Sequence, residues 1–148
     1  MARNVFFSFH YQRDIVRVNQ IRNLPEIIEQ AAAGFKDSSL WEEAKKKSDD
    51  AIKALIDSGL KGTSVTVVCI GYKTAGRKFI NYEIQKSIDR GNGILGVKIH
   101  HLKNFAGETD PEGDIPALLT NKGYSVYKYS DHAKLKTWIE AAAKAAGK

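Results

Sequence analysis

A single cysteine, Cys69, among 148 residues leaves no intramolecular disulfide to be made. The fold must therefore rest on its core, and the lone thiol fits a reducing compartment. Cys69 sits inside the run SVTVVCIG, residues 64 to 71, and reads as a small buried hydrophobe rather than a nucleophile. Long apolar runs are equally scarce. Val5 to Phe9 is too short for the apolar heart of a signal peptide, and no window approaches the roughly 20 apolar residues of a membrane-spanning helix. These absences lead us to expect a soluble, cytoplasmic protein that makes no use of a membrane.

The common chemical signatures are missing as well. No G-x-G-x-x-G follows the first apolar run and no Walker pattern occurs, which removes the usual phosphate cradles. No G-x-S-x-G elbow surrounds Ser8, so a hydrolase triad has no support. A response-regulator acceptor needs paired acidic residues near the end of the first strand, where this chain has Ser8-Phe9-His10. His100 and His101 have no second cluster at metal-ligand spacing, and we expect no metal site. The net charge of +6 would suit a phosphate-bearing partner. Yet the lysines are dispersed: KKK at 45–47 runs straight into Ser48-Asp49-Asp50, and KAAGK is a terminal fringe. Without aromatic interleaving or a nucleic-acid motif, these are solvated helix faces, and no nucleic-acid partner is expected.

What is present is an alternation. Val5-Phe6-Phe7-Ser8-Phe9 reads as a strand covered on both faces. A helix follows from about Arg13-Asp14, with Ile15, Val18 and Ile21 at three-residue spacing. Pro25 kinks or restarts it, and EIIEQAAA carries helical character to Gly34. Residues 36–62 read as one or two further helices, the first capped by Ser38 or Ser39 with Trp41 and Ala44 inward, the second striped by Ile52, Leu55 and Ile56. The β-branched run at 64–71 is the clearest strand, and a helix over 77–90 ends at Gly91. GILGVKIHHL is the next strand, KNFAGETDPEGD a polar loop, IPALLTNKG a short helical turn and YSVYKY a last strand. Asp131 caps a final helix with Leu135, Trp138, Ile139 and Ala142 on its core face. Strands alternating with helices predict one α/β domain over residues 1–148, a mainly parallel sheet with helices on both faces. In such folds ligands bind beyond the carboxyl ends of the strands, where strand order reverses. The segments to watch are His10 to Asp14, Gly71 to Arg77 and His100 to Asp114.

GRKFINYEIQKS, residues 76–87, places Glu83 in the second turn of the helix that leaves the clearest strand. Ile80, Ile84 and Ile88 form the stripe that faces the sheet, and Glu83 lies about 100° from its centre, with Phe79 and Ser87 on the same side. It stands on the shoulder of the buried face. By position alone it is either a residue presented to the cleft or a carboxylate that complements the helix dipole.

At these residues the chain resembles a known family. NVFFSFHYQRD is similar to the first-strand box of TIR domains, an apolar strand ending in Ser-Phe or Ser-Tyr with an acidic residue soon after. VFFSFHYQRDIVRVNQIRN, LKGTSVTVVCIGYKTAGRKFINYEIQKSIDRGNGILGVKIHHL and the final strand and helix resemble the TIR-like family that includes the ThsB proteins of Thoeris anti-phage defence. The resemblance implies a flavodoxin-like, three-layer TIR fold. It also implies cleavage of the nicotinamide–ribose bond of NAD, with NAD as substrate and no resident cofactor, and an ADP-ribose-derived, cyclic signal that acts on a separate effector protein. The catalytic role falls on Glu83, within RKFINYEI. Phe9, His10, Tyr11 and Tyr82, with Phe6 as an alternative to Phe9, become candidates for stacking on nicotinamide or adenine. Arg13, Lys73 and Arg77 could meet the diphosphate and Asn81 a ribose or the nicotinamide amide, and Asp14, the acidic residue of the first box, joins them as a substrate-binding candidate. Self-association and a phage-derived trigger are further expectations. The chain departs from the common pattern in lacking a recognisable second strand and in having Phe79-Ile80-Asn81-Tyr82 where many TIR enzymes have a Trp-Cys context. A non-catalytic TIR-like interaction scaffold is the competing reading, and a nucleotide or flavin sensor a third.

Overall fold

Val65–Ile70 is apolar or β-branched at every position and buried at all of them, as a strand with helices on both faces requires. In the computed structural model, which describes residues 3–22, 27–28 and 47–148, it lies at the centre of a parallel sheet. The strands are β1 (Arg3–Ser8), β2 (Ile27–Ile28), β3 (Val65–Ile70), β4 (Gly93–Lys98) and β5 (Val126–Lys128). Among the described residues their order is β2-β1-β3-β4-β5, and every pairing is parallel. This is the flavodoxin-like order, in which winding reverses between β1 and β3. The helices are α1 (Tyr11–Arg22), α2 (Asp49–Leu60), α3 (Lys78–Asp89), α4 (Ala117–Asn121) and α5 (His132–Ala145). None of the described helices is long and apolar enough to cross a membrane.

Successive residues of a strand point to opposite faces, and partners in a parallel register share one. Val5, Phe7, Val65, Val67, Cys69, Leu95 and Val97 therefore line one face, where Val18 and Ile21 of α1 and Leu135, Ile139 and Ala143 of α5 complete the core. The other face carries Phe6, Ser8, Thr66, Val68, Ile70 and Ile94. Ile80 and Ile84 of α3 and Leu119 of α4 pack on its apolar part. α2 buries Ile52 and Ile56 and is tied to α3 by the Lys78–Asp49 ion pair and by the Tyr82 hydroxyl on Asp57.

The helix starts have local causes. Ser48 accepts the Ala51 N–H at 3.1 Å to open α2, and Asp131 accepts the Lys134 N–H at 2.8 Å to open α5, the cap expected from the sequence. α1 starts earlier than anticipated, at Tyr11. In α5 the deepest alanine is Ala143, while Trp138 is half-buried and stacks on Tyr127 with ring centres 4.3 Å apart. One expectation is corrected: Ile27–Ile28, inside a stretch read as helical, pairs in parallel with Arg3 and Asn4 as β2. Two adjacent β-branched residues beside a strand edge gain more from pairing than from continuing a helix, although their sequence neighbours are good helix formers. The proposed cap at Ser38 or Ser39 and the inward Trp41 and Ala44 lie outside the described residues.

Candidate active site

Three chain segments meet at the carboxyl ends of β1, β3 and β4, on either side of the reversal point. Two glycines make the approach feasible. A methyl group at Gly71 would stand 2.2 Å from Asp14 Oδ2, and one at Gly113 would stand 2.3 Å from the Gly71 carbonyl oxygen. Only a residue without Cβ fits at either point. Thr74 braces the β3 turn by accepting the Gly71 N–H at 2.8 Å. The three segments singled out from the sequence are thus one structure.

Glu83 belongs to this end of the molecule, in the second turn of α3. It goes further inward than a shoulder position suggests, with 4% of its surface exposed. Its Oε1 accepts a hydrogen bond at 2.9 Å from Ser8 Oγ, the last residue of β1. Burial pushes the Glu83 carboxyl well above the usual carboxylate range, with the Ser8 hydroxyl pulling the other way. One turn on, Ser87 Oγ donates to the Glu83 carbonyl at 2.7 Å and lies 2.7 Å from Thr66 Oγ1, which accepts from Asn92 Nδ2 at 3.3 Å. A buried file of hydroxyls and amide thus runs beneath α3 and ends on the Glu83 backbone. Glu83 is thus held inside the protein and is not a solvated charge on the surface of α3.

A second polar cluster joins α1 to the loop after β4. Arg13 grips Asp110 with both arms of its guanidinium, Nε to Oδ2 at 2.9 Å and Nη2 to Oδ1 at 3.0 Å. Arg17, 1% exposed, binds Asp14 Oδ1 at 3.0 Å and Asp110 Oδ2 at 3.1 Å. It also donates to the carbonyls of Leu102 and Glu108 at 2.8 and 3.1 Å. The hydrogen bond from Arg13 holds the Asp110 carboxyl below its ordinary range. Burial pushes Asp14 the opposite way against the pull of Arg17, and Asp14 Oδ2 has no hydrogen-bond partner. Asp14 therefore serves Arg17 inside the protein and is not offered to the cleft.

The other candidates divide between the cleft and its surroundings. Lys73 and Arg77 line a cleft of about 510 Å³ with Tyr72, Glu112, Gly113 and Asp114. There Arg77 Nε donates to the Lys73 carbonyl at 2.9 Å, and Lys73 Nζ stands 4.4 Å from the Tyr72 ring centre. Arg13 approaches the same ring at 5.4 Å. Phe9 is buried in the core, and the His10 carbonyl accepts the Asp14 N–H at 2.9 Å. Tyr11 opens α1. Asn81 is exposed on α3. Tyr82 turns to α2: its hydroxyl donates to Asp57 at 2.8 Å and its ring lies between Lys53 and Lys86, at 5.4 and 5.6 Å. Burial, then the Asp57 contact, moves its hydroxyl up to about 12. His101 sits apart from all of these, its Nε2 donating to the Tyr129 carbonyl at 2.7 Å. Sequence reasoning missed the roles of Ser8, Asp110, Glu112 and Asp114. A hydroxyl ending an otherwise apolar strand was the available signal for the first, and acidic residues in a polar loop beyond β4 for the others.

The fold agrees with comparison to known proteins. The family model for "Thoeris protein ThsB, TIR-like domain" matches residues 6–104. The chain belongs to the TIR-like family of Thoeris ThsB proteins. One relative, "Putative cyclic ADP-D-ribose synthase ThsB1" of Bacillus cereus (strain MSX-D12), is 47% identical over 137 residues, which span 90% of this chain and 68% of that protein. The matched ThsB span contains Ser8, Asp14, Arg17 and Glu83. It stops before Asp110, so the acidic side of the cleft lies beyond it.

Proposed function

We propose that this ThsB-like protein processes NAD, breaking the nicotinamide–ribose bond and making an ADP-ribose-derived, cyclic product, with Glu83 as the catalytic residue. The observation that carries the reading is a buried carboxylate at the strand-order reversal, held by the Ser8 hydroxyl at 2.9 Å. The name of the 47% identical relative supports the product class. NAD acts as substrate, and no resident cofactor is required.

The chemistry suits the site. When the C1′–N bond breaks, its electron pair leaves with nicotinamide and neutralises the pyridinium, while positive charge develops on the ribose. A nearby carboxylate stabilises that oxocarbenium-like state. Water attack would release ADP-ribose and a proton; attack by a nitrogen of the tethered adenine would close a ring. Burial favours neutral Glu83 in the resting protein, and a bound pyridinium cation favours its ionised form. The substrate thus calls up the charge that its own cleavage uses. Lys73 and Arg77 are the cations we assign to the diphosphate and Arg13 a third, once released from Asp110. In this reading the product signals to a separate effector protein in the cytoplasm, and self-association or a phage-derived trigger governs when the site works.

The test compares nucleotide products, by chromatography and mass spectrometry, in cells expressing the wild type or Glu83→Gln, with and without phage challenge. We expect an ADP-ribose-type product from the wild type, reduced at least about 100-fold in the variant. No Glu83-dependent product from two equally abundant, folded proteins would leave the interaction-scaffold reading in its place.

A further inference from the structure

The sheet face beneath α3 is apolar at Phe6, Val68, Ile70 and Ile94 and polar at Ser8 and Thr66. Thr66 is engaged with Ser87 and Asn92, leaving Ser8 as the strand residue that meets the Glu83 side chain. A lone hydroxyl at 0% exposure donates there to a carboxylate at 4% exposure, at a strand end that valine would fill without a polar atom, and removing either partner would leave the other buried and unsatisfied.

The other charged groups around α3 are directed elsewhere. Asp49 meets Lys78, and Asp57 and Lys53 of α2 meet Tyr82, as does Lys86. On β4, Lys98 pairs with Glu112 at 3.1 Å. β1 and β3 present no titratable side chain on this face, since Cys69 points to the other one. Among the described residues, burial and the Ser8 hydroxyl are what act on the Glu83 carboxyl.

We infer that Ser8 is the positioning residue of the proposed reaction: by bonding Oε1 it fixes the Glu83 rotamer and favours the charged form that the transition state needs. The inference rests on Glu83 being the catalytic carboxylate. Ser8 itself touches no reacting atom and acts through Glu83.

The test reads the Glu83 side-chain carboxyl directly, by its ¹³C chemical shift against pH in the full chain, with the resonance assigned by its loss in Glu83→Gln. The pH dependence of NAD turnover is measured beside it. Ser8→Ala should move the Glu83 titration to higher pH and carry the acid limb of turnover with it. The loss should be about tenfold at pH 6 and smaller at pH 8.5. Ser8→Thr, which keeps the hydroxyl, should restore both profiles. Ser87→Ala, which removes a buried hydroxyl bonded to the Glu83 backbone rather than to its carboxyl, should leave the titration in place. An unmoved titration in Ser8→Ala overturns the inference, as does a moved titration with an unmoved acid limb. A wild type that makes no Glu83-dependent product defeats the proposed function itself, and the titration still reports whether Ser8 governs the carboxyl.

Discussion

Replacing Glu83 by Gln should make the protein more stable at neutral pH while abolishing its activity. Glu83 is buried, and the hydrogen bond to it comes from Ser8 at 2.9 Å. At pH 8 the wild type must either hold a proton against a dilute supply or keep a charge out of water. Gln does neither, and its carbonyl oxygen can still accept from Ser8. The gain should be on the order of 1–3 kcal/mol, the penalty of an undercompensated buried polar group. For a chain of this size that is a rise of roughly 3–10 °C in Tm. The pH dependence carries the diagnosis. The carboxyl is raised in the folded state above its ordinary value of 4.5. Its contribution to folding is therefore fully present below the unfolded value and lost as pH rises through the folded one. Wild type and variant should melt together near pH 4 and separate progressively above it, the difference levelling off once the wild-type carboxyl has ionised. Thermal and urea unfolding at pH 4, 6 and 8 measure this. A difference independent of pH, or a variant less stable than the wild type at pH 8, would refute the reasoning. A variant that is inactive yet more stable could not owe its inactivity to misfolding.

The two polar clusters should respond differently to truncation. Arg17→Ala leaves Asp14 buried without its partner, and urea unfolding at pH 7 should show a loss of about 3–5 kcal/mol, the usual cost of breaking a buried pair from one side. Pairing it with Asp14→Asn should recover part of that loss. Tyr82→Phe removes the hydroxyl bonded to Asp57 and should cost about 1 kcal/mol. Its turnover should stay within about twofold of wild type, because the ring faces α2 rather than the cleft; a large drop in kcat with unchanged stability would return Tyr82 to the substrate.

The fold was open to sequence reading because both faces of the sheet are covered. β3 is apolar or β-branched throughout, and the Ile80, Ile84, Ile88 stripe could serve only a helix lying on it. The chemical partners were not open to it. Ser8 meets Glu83 across 75 positions and Arg13 meets Asp110 across 97, separations that no periodicity encodes. Wheel geometry placed Glu83 at the margin of the buried face, and a hydroxyl at the end of β1 drew it inward. The partners of Asp14 and Tyr82 were closed to it for a related reason: residue type and segment do not disclose that Arg17 and Asp57 engage them. β2 was missed because an edge strand of two residues takes its stability from the neighbouring strand rather than from its own sequence.

The two faces of the sheet bear unequal burdens. Beneath α1 and α5 the sheet presents Val5, Phe7, Val65, Val67, Cys69, Leu95 and Val97, an apolar face. Beneath α3 the same strands give up two inward positions to Ser8 and Thr66, and the helix answers with Glu83 and Ser87. Each hydroxyl is satisfied, so the substitution costs little as long as the partner is present, and much if one side is removed. Glu83 is the exception, because its charge has no cation to meet it among the described residues. A carboxylate left undercompensated beneath α3, in a network whose Asn92 Oδ1 also lacks a partner, is where stability has been given up. Its position at the reversal of strand order gives that sacrifice a chemical reason under the proposed function, in which the missing cation is the one that the substrate brings.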